Sequence, residues 1–385
     1  MDMLKYTWVL RCLTYPFIFV KNGLKTIEIK RKKGKKKMIE FRENIWEEGE
    51  YNYKAAYGFV PNIHAYLHDD EIERKCMLIC PGGGYCMCVP HEAILPALEF
   101  YKQGMNVFVL TYTTDITMSV PLKNQPLMDV SRAVRFIRKN ALKYHIDSSK
   151  LIICGFSAGA HVCGSLTVHY DDVKDENEKY KDVSNRPDGS ILSYPVITTG
   201  EFTHIYSVWA LVGQNASDEE KDYFSLEKHV DENTPPCFIW QTQTDDLVPV
   251  ENSYLMAKAL RKNNVPFAHY VFPTGMHGLS TANDDFIYGI KLNPYTMEQV
   301  MRAVESVKDG KGVNVSEQRR KELEEQFANE DTSVYKNITF EVEHTDDASF
   351  KNVERSTDPM FPGDLSIADD VGMWTKLAKV WIERL

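Results

Sequence analysis

The sequence predicts an α/β fold with a mostly parallel central sheet flanked by helices. Over residues 62–272, short apolar and β-branched stretches alternate with longer amphipathic ones, which is the rhythm of repeated β-α-β units. Several of the short stretches run into a glycine or a carboxylate, as expected where parallel strands finish at one edge of a sheet. A chain of 385 residues is long enough for one such core with insertions.

The individual elements follow from periodicity and from the residues that interrupt it. We expect strands at residues 62–68, 75–80, 106–112, 150–154, 190–196 and 267–272, and another that begins at residue 236. We expect helices at residues 93–103, 125–145 and 251–263, and one directly after residue 157. The second of these helices has Val130, Val134 and Leu142 on its apolar side. The acidic run at 171–182 is predicted to be a solvated excursion, and residues 198–236 to be irregular.

Composition and charge narrow the classes of partner. The chain is 43% hydrophobic and 26% charged, as in ordinary globular proteins, and its net charge of −10 disfavours a nucleic-acid partner. An apolar stretch at residues 6–20 is interrupted by Arg11 and Pro16 and is too short to span a bilayer, so no stable membrane insertion is expected. Eight cysteines, several within apolar stretches, favour a reducing compartment, and we therefore predict a cytoplasmic protein.

Residues 1–37 differ from the rest of the chain and are predicted to be an N-terminal extension. They include a basic run at 30–37 that would either be solvated or contact anionic lipid. A further hypothesis is that Met38 is the true start and that the preceding residues are a translated leader. A purine-rich ribosome-binding sequence read in frame encodes Lys, Arg and Gly, which are the residues of this run.

The stretch around Ser157 carries the strongest chemical signal. A β-branched run leads into Gly155-Phe156-Ser157-Ala158-Gly159, and a helix rich in small residues follows. In this setting the turn strains the serine, and the flanking glycines let the strand and the helix approach each other. We therefore predict that Ser157 is a nucleophile at the top of the sheet and that the amide of Ala158, at the helix start, faces an oxyanion.

A glycine-rich segment follows the strand predicted at residues 75–80. The sequence Pro81-Gly82-Gly83-Gly84-Tyr85 leaves backbone N–H groups uncovered, which suits an oxyanion hole opposite the serine; a flexible loop is the alternative. Gly83 and Gly84 are the predicted donors. Tyr85 and Trp209 are candidate substrate contacts, because aromatic residues in irregular segments commonly cap a pocket, although core packing explains them equally well.

Two later segments complete a nucleophile, base and acid set. One strand ends in Asp245-Asp246, and the last strand is followed by His277 between glycines. The histidine would take the proton of the serine, and either aspartate would orient its ring. The chain order Ser, acid, His is that of the α/β-hydrolases. This chemistry needs no cofactor, and the cysteines and histidine of residues 76–91 match no standard zinc spacing, so no metal is predicted.

Five motifs together resemble the bacterial acetyl esterase and xylanase-associated esterase branch of the α/β-hydrolases. They are Pro81-Gly82-Gly83-Gly84-Tyr85, Gly155-Phe156-Ser157-Ala158-Gly159-Ala160-His161, Thr234-Pro235-Pro236, Asp245-x-x-Val248-Pro249-Val250-Glu251-Asn252-Ser253 and His277-Gly278-Leu279. The resemblance covers residues 46–279 and resumes at 371–378. It implies that Asp245, in Asp-x-x-Val-Pro, is the acid in preference to Asp246. It also implies an esterase that often removes acetyl or aromatic acyl groups from plant-polysaccharide fragments.

The tail departs from the compact members of that branch. We predict a hydrolase core at residues 38–284, an insertion at 285–365 and a final core helix at 366–385. The insertion should hold helices at 294–307 and 316–329 and a strand near 334–342. Because it begins just after His277, it is a candidate lid, a wall that shapes the acyl or sugar site, or a homo-oligomer contact, with a solvated decoration as the alternative.

The function predicted from the sequence is therefore that of a serine carboxylesterase. It would hydrolyse short acyl esters and deacetylate xylo-oligosaccharide-type substrates through Ser157, His277 and Asp245. The same triad would also serve an amidase or peptidase, and a non-catalytic binding or association protein on this fold is the third hypothesis.

Overall fold

The structure, a computed structural model, describes residues 37–290, 292–329, 343–346 and 355–385. It is built around a central sheet. Its strands are β1 (Lys37–Asn44), β2 (Asn62–His68), β3 (Arg74–Cys80), β4 (Asn106–Thr111), β5 (Ile146–Phe156), β6 (Gly189–Ser193), β7 (Cys237–Thr242), β8 (Phe267–Phe272) and β9 (Glu343–Asp346). Their order across the sheet is β8-β7-β6-β5-β3-β4-β2-β1-β9. The strands from β8 to β4 in that order pair in parallel, whereas β2, β1 and β9 are added antiparallel. The predicted mostly parallel sheet is confirmed.

Helices cover both faces of the sheet. They are α1 (Pro90–Lys102), α2 (Gln125–Lys139), α3 (Ala158–His169), α4 (Ile205–Val212), α5 (Asp218–Tyr223), α6 (Glu251–Lys262), α7 (Asp284–Ile287), α8 (Glu298–Lys308), α9 (Glu317–Gln326) and α10 (Trp374–Ile382). Neighbouring residues of a strand point to opposite faces, so Ile153 joins the core under α2, α3, α6 and α8, while Ile152 joins the core under α1 and α10. The strands β3, β5 and β7 are consequently apolar on both faces.

Strands β2 and β8 have the predicted ends, and β3, β4 and α6 differ from the prediction by one residue at one end. Other bounds differ more: β5 begins four residues before the predicted start, β6 ends three residues before the predicted end, and α1 begins three residues early. The largest difference is in the helix predicted to reach residue 145, because α2 ends at Lys139. The amide of Asn140 bonds back to the carbonyls of Phe136 and Ile137, and the chain then turns towards β5. Leu142 was therefore assigned wrongly to the apolar face, since it is 90% exposed.

Two further segments differ from the prediction. Residues 198–236 are only partly irregular, because they include α4 and α5; the latter starts with a capping box between Ser217 and Glu220. The acidic run is mostly exposed, but the side chain of Asp175 is buried against that of Arg132. The Nε of Arg132 lies 2.6 Å from the carboxylate of Asp175. Strand β1 was not predicted. Residues 1–36 and the strand near 334–342 lie outside the described residues.

The first part of the predicted insertion packs into the body of the molecule. Val300 and Val304 of α8 lie in the same apolar core as α2 and α3. Glu298 pairs with Arg42 of β1 at 2.8 Å, and both side chains are almost fully buried. Gln299 exchanges hydrogen bonds with the backbone amide and carbonyl of Thr114. Helix α8 thus contributes to the core beside the sheet.

Three observations concern cysteines, metals and membranes. The seven cysteines from Cys76 to Cys237 are buried and free, as expected for small apolar side chains. Within the described ranges, no cluster of three or more His, Cys, Asp or Glu side chains is arranged to hold a metal ion. Of the helices in those ranges, none combines the length and the apolar character needed to cross a bilayer.

Candidate active site

The loops that follow β3, β5, β7 and β8 meet at one edge of the sheet, because these four strands are parallel. The glycine-rich segment follows β3, and Ser157 follows β5. Asp245 lies just after β7, and His277 follows β8. The topology therefore gathers, at this edge, the chemical groups that lie far apart in the sequence.

Ser157 occupies a sharp turn between β5 and α3. Its backbone has φ 54° and ψ −119°, in the left-handed region that non-glycine residues seldom occupy. A Cβ on Gly155 would lie 2.2 Å from the carbonyl oxygen of Gly159, and a Cβ on Gly159 would lie 2.1 Å from that of Cys80. Both flanking positions therefore require glycine, as predicted, and the turn exposes the serine hydroxyl at the sheet edge.

A continuous chain of hydrogen bonds joins Ser157, His277 and Asp245. The Oγ of Ser157 lies 2.7 Å from Nε2 of His277, and Nδ1 of His277 lies 2.8 Å from Oδ2 of Asp245. A carboxylate can only accept, so Nδ1 carries the proton and Nε2 presents a lone pair to the serine. The second aspartate, Asp246, instead accepts the backbone N–H of His277 at 3.1 Å.

Electrostatic interactions favour a negative charge on Asp245 and a positive charge on His277. Burial alone would raise the pKa of Asp245, but the charge and hydrogen bond of His277 and the amides of Val248 and Leu247 hold that pKa below its ordinary value. Burial alone would lower the pKa of His277, but the charge and hydrogen bond of Asp245, helped by Glu92, raise it. The imidazolium form of His277 is therefore stabilised in a buried position.

The segment after β3 lies directly against the serine turn. A Cβ on Gly82 would be 2.9 Å from the Cβ of Ser157, so the two loops are in contact. The amide of Gly82 donates to Oε2 of Glu92 at 2.8 Å and is not available to a ligand. Gly83 and Gly84 have φ values of 126° and 60°. Their amides, and that of Ala158 in the first turn of α3, remain the predicted oxyanion donors.

The two candidate substrate aromatics lie in different environments. Tyr85 is 2% exposed and donates its hydroxyl to Nδ1 of His161 at 2.6 Å, so its ring belongs to the core. Because Nε2 of His161 donates to the carbonyl of Phe224 at 2.9 Å, Nδ1 is free to accept. Trp209, on α4, is half-buried and stands perpendicular to the ring of Tyr206, with centroids 5.5 Å apart.

Sequence reasoning missed three buried residues beside the triad. Glu92 of α1 and Tyr194, just after β6, are hydrogen-bonded to each other at 2.8 Å. His204 precedes α4, and its pKa is lowered to about 3 by burial and by the charge of His277. A carboxylate in the apolar stretch Val89-Pro90-His91-Glu92-Ala93-Ile94-Leu95 was the one sequence signal that pointed to any of them.

The strand order and the strained serine turn after β5 define the class as that of the α/β-hydrolases. The family model BD-FAE matches residues 66–260, and the chain belongs to that family.

Similar proteins add detail to the assignment. Endo-1,4-beta-xylanase B of Butyrivibrio fibrisolvens is 66% identical over 281 residues, which are 73% of this chain and 43% of that protein. Acetylxylan esterase of Xylanibacter ruminicola is 28% identical over 256 residues, or 61% of this chain and 50% of that protein. The chain thus spans half or less of the length of these two curated relatives.

One similar solved structure is matched over nearly its whole length. It is the crystal structure of an acetyl ester-xyloside bifunctional hydrolase from Caldicellulosiruptor lactoaceticus, with 33% identity and a TM-score of 0.60. The match covers 71% of this chain and 97% of that chain.

Proposed function

We propose that this chain is a serine carboxylesterase that removes short acyl groups, acetyl among them, from carbohydrate esters of the xylo-oligosaccharide type. The observation that carries the proposal is the hydrogen-bonded chain from Ser157 through His277 to Asp245. A serine hydroxyl is a poor nucleophile until a base accepts its proton, and Nε2 of His277 is within reach of that proton.

In the first half of the reaction, Oγ of Ser157 attacks the ester carbonyl while its proton moves to Nε2 of His277. The oxyanion that forms would accept hydrogen bonds from the amides of Ala158 and of Gly83 or Gly84. Asp245 keeps the imidazole in the correct tautomer and stabilises its cation. Collapse of the tetrahedral intermediate breaks the bond to the alcohol, which takes the proton from His277 and leaves an acyl-serine.

In the second half, water replaces the alcohol. His277 removes a proton from the water, which attacks the acyl-serine carbonyl at the same oxyanion site. The intermediate releases the carboxylic acid, and the proton on His277 returns to Oγ of Ser157. Neither half uses an external oxidant, reductant or metal.

An ester bond suits these groups better than a glycosidic bond. Glycosidases mostly use a pair of carboxyl groups on either side of the scissile bond, whereas a serine with a histidine and oriented amides is the arrangement of acyl transfer. Two similar proteins, an acetylxylan esterase and an acetyl ester-xyloside hydrolase, support a carbohydrate acetyl ester as the substrate.

The helix α4 supplies a surface suited to a sugar. His204, immediately before it, is close enough to the triad for the charges of His277 and Asp245 to act on its pKa. On the same helix, Tyr206 and Trp209 are only half-buried, and their rings pack edge to face. Aromatic faces offer large apolar contact at low entropic cost, so we assign this pair to the carbohydrate part of the substrate.

The test is hydrolysis of a panel by the wild-type protein and by Ser157→Ala. The panel holds p-nitrophenyl acetate, butyrate and octanoate, methyl ferulate, acetylated xylo-oligosaccharide and an aminoacyl p-nitroanilide. The proposal expects turnover of acetyl esters and of the acetylated oligosaccharide, and none by Ser157→Ala. Cleavage of the anilide alone would support an amidase, and no turnover above Ser157→Ala would favour a binding protein.

A further inference from the structure

We propose that Glu92 is a positioning residue that holds two loops against Ser157 through one buried carboxylate. The first is the oxyanion loop, residues 81–85, and the second is the histidine loop, residues 275–280. The inference rests on the proposed function, because it assigns a task within the same triad.

The two oxygens of Glu92 reach the two loops separately. Oε2 accepts the N–H of Gly82 at 2.8 Å, which fixes the oxyanion loop one residue before Gly83. Oε1 accepts the hydroxyl of Tyr194 at 2.8 Å, and that hydroxyl accepts the N–H of Ser280 at 3.0 Å. One carboxylate therefore connects the oxyanion loop with the histidine loop.

The hydrogen bonds around Glu92 suit an ionised carboxylate. Tyr194 accepts from Ser280, so its own proton is directed to Oε1, while Gly82 occupies Oε2. An ionised carboxylate accepts from both donors and has no proton of its own to place. Burial raises the pKa of Glu92, and the contacts with Tyr194, His277 and Gly82 reduce that rise without cancelling it.

Close packing leaves little freedom around the carboxylate. A Cβ on Gly82 would lie 2.6 Å from Oε2 of Glu92, and a Cβ on Gly278 would lie 4.0 Å from Oε1. Tyr194 also presents its ring perpendicular to that of His277, with centroids 5.0 Å apart. The backbone of Tyr194 has φ 36°, so the chain holds this ring in place at a strained position. Glu92 thus acts on His277 through Tyr194 and on Ser157 through Gly82.

The charge of Glu92 adds an effect that packing alone would not produce. A buried carboxylate is costly to a fold unless hydrogen bonds or charges compensate it. The titratable groups that act on the pKa of His277 or face its ring are Asp245, Asp246, Glu92, His204 and Tyr194. Among them, Glu92 lies on α1, whereas the two aspartates follow β7.

The test compares Glu92→Gln with Glu99→Gln, the same change on the same helix, where Glu99 is only half-buried and bonds Gln103. We expect Glu92→Gln to lower kcat about 10-fold to 100-fold with little change in KM, because loop placement is lost. It should also move the acid limb of kcat/KM to lower pH, because a negative charge that favours the His277 cation is gone. Glu99→Gln should change neither quantity.

A second measurement separates this claim from the esterase assignment. A fluorophosphonate labels an activated serine by forming an O–P bond with loss of fluoride, whatever the natural substrate. Slower labelling of Ser157 in Glu92→Gln supports the positioning role even if every ester in the panel is inert. An unchanged labelling rate together with an unchanged acid limb overturns it.

A third variant keeps the claim testable if Glu92→Gln does not fold. Tyr194→Phe removes the link to Ser280 and leaves the charge of Glu92 in place. We expect slower labelling of Ser157 with an acid limb that moves less than in Glu92→Gln. Wild-type labelling in folded Tyr194→Phe would overturn the proposal. The proposal would also be overturned if Glu92→Gln lost activity only in proportion to its loss of thermal stability while the acid limb of kcat/KM stayed at its wild-type pH. Glu92 would then have only a structural role.

Discussion

Nε2 of His277 lies 2.7 Å from Oγ of Ser157, although 120 residues separate the two in the chain. The sheet makes this contact, because β5 and β8 end at the same edge with β6 and β7 between them. Asp245 completes the arrangement from β7. The hydrolytic proposal depends on this geometry, and each of its parts can be tested separately.

The two adjacent aspartates should differ sharply in importance. Asp245 bonds the ring of His277, whereas Asp246 bonds its backbone amide. We expect Asp245→Asn to lower kcat by about 10³-fold to 10⁴-fold, because the tautomer is no longer fixed. Asp246→Asn should lower it by less than about 10-fold, because the exposed charge is screened. Steady-state kinetics on p-nitrophenyl acetate measures both, and equal losses would contradict the assignment of the acid.

The pH dependence of the reaction should report the raised pKa of His277. Only the neutral imidazole accepts the serine proton, so kcat/KM rises with pH through that pKa. Burial opposes the shift, but the charges of Asp245, Glu92 and Asp246 outweigh it and place the midpoint above the ordinary value of 6.5. Asp246→Asn should lower the midpoint, and Asp171→Asn on the surface should leave it unchanged. A midpoint below 6.5 in the wild type would contradict the electrostatic account.

Helix α8 should behave as part of the core. Removing the charge of Glu298 leaves Arg42 buried without its ionic partner, which typically costs about 3–5 kcal/mol. We expect Glu298→Gln to lower the free energy of unfolding by that amount in a urea titration. Asp309→Asn, which breaks an exposed pair with Lys311, should change it by less than about 1 kcal/mol. Similar values for the two variants would show that α8 is only loosely attached.

The aromatic surface on α4 should matter for sugars and not for small esters. Trp209→Ala removes half of the perpendicular ring pair with Tyr206. We expect KM for acetylated xylo-oligosaccharide to rise about 5-fold to 30-fold, the equivalent of about 1–2 kcal/mol of contact. The KM for p-nitrophenyl acetate should stay the same, and Trp209→Phe should recover part of the loss. An equal rise for both substrates would exclude a specific role in sugar binding.

Local signals in the sequence predicted the fold and the positions of the three triad side chains. Gly155 and Gly159 indicate the serine turn, because no other residue fits at these positions. His277 and Asp245 follow apolar strands whose pattern can be recognised without knowledge of the rest of the fold. Such features depend only on neighbouring residues, so they can be recognised before the structure is known.

Features that depend on distant contacts were not predictable in the same way. Arg42 is buried in β1 because Glu298, 256 residues later, compensates its charge, and no local pattern in the strand reveals that partner. The apolar neighbours of Glu92 were a local signal, but its partner Tyr194, 102 residues away, could not be identified from the sequence. Leu142 looked apolar and buried because periodicity alone could not reveal where α2 ends.

The central claim is that Ser157 forms a covalent acyl intermediate. The most direct measurement is rapid quenching of the reaction with p-nitrophenyl acetate, followed by mass spectrometry of the digested protein. The account predicts one acetyl group on the peptide that contains Ser157, formed during the burst of nitrophenol and absent in Ser157→Ala. Turnover with no acetyl group on that peptide, or with the acetyl group on another residue, would contradict it.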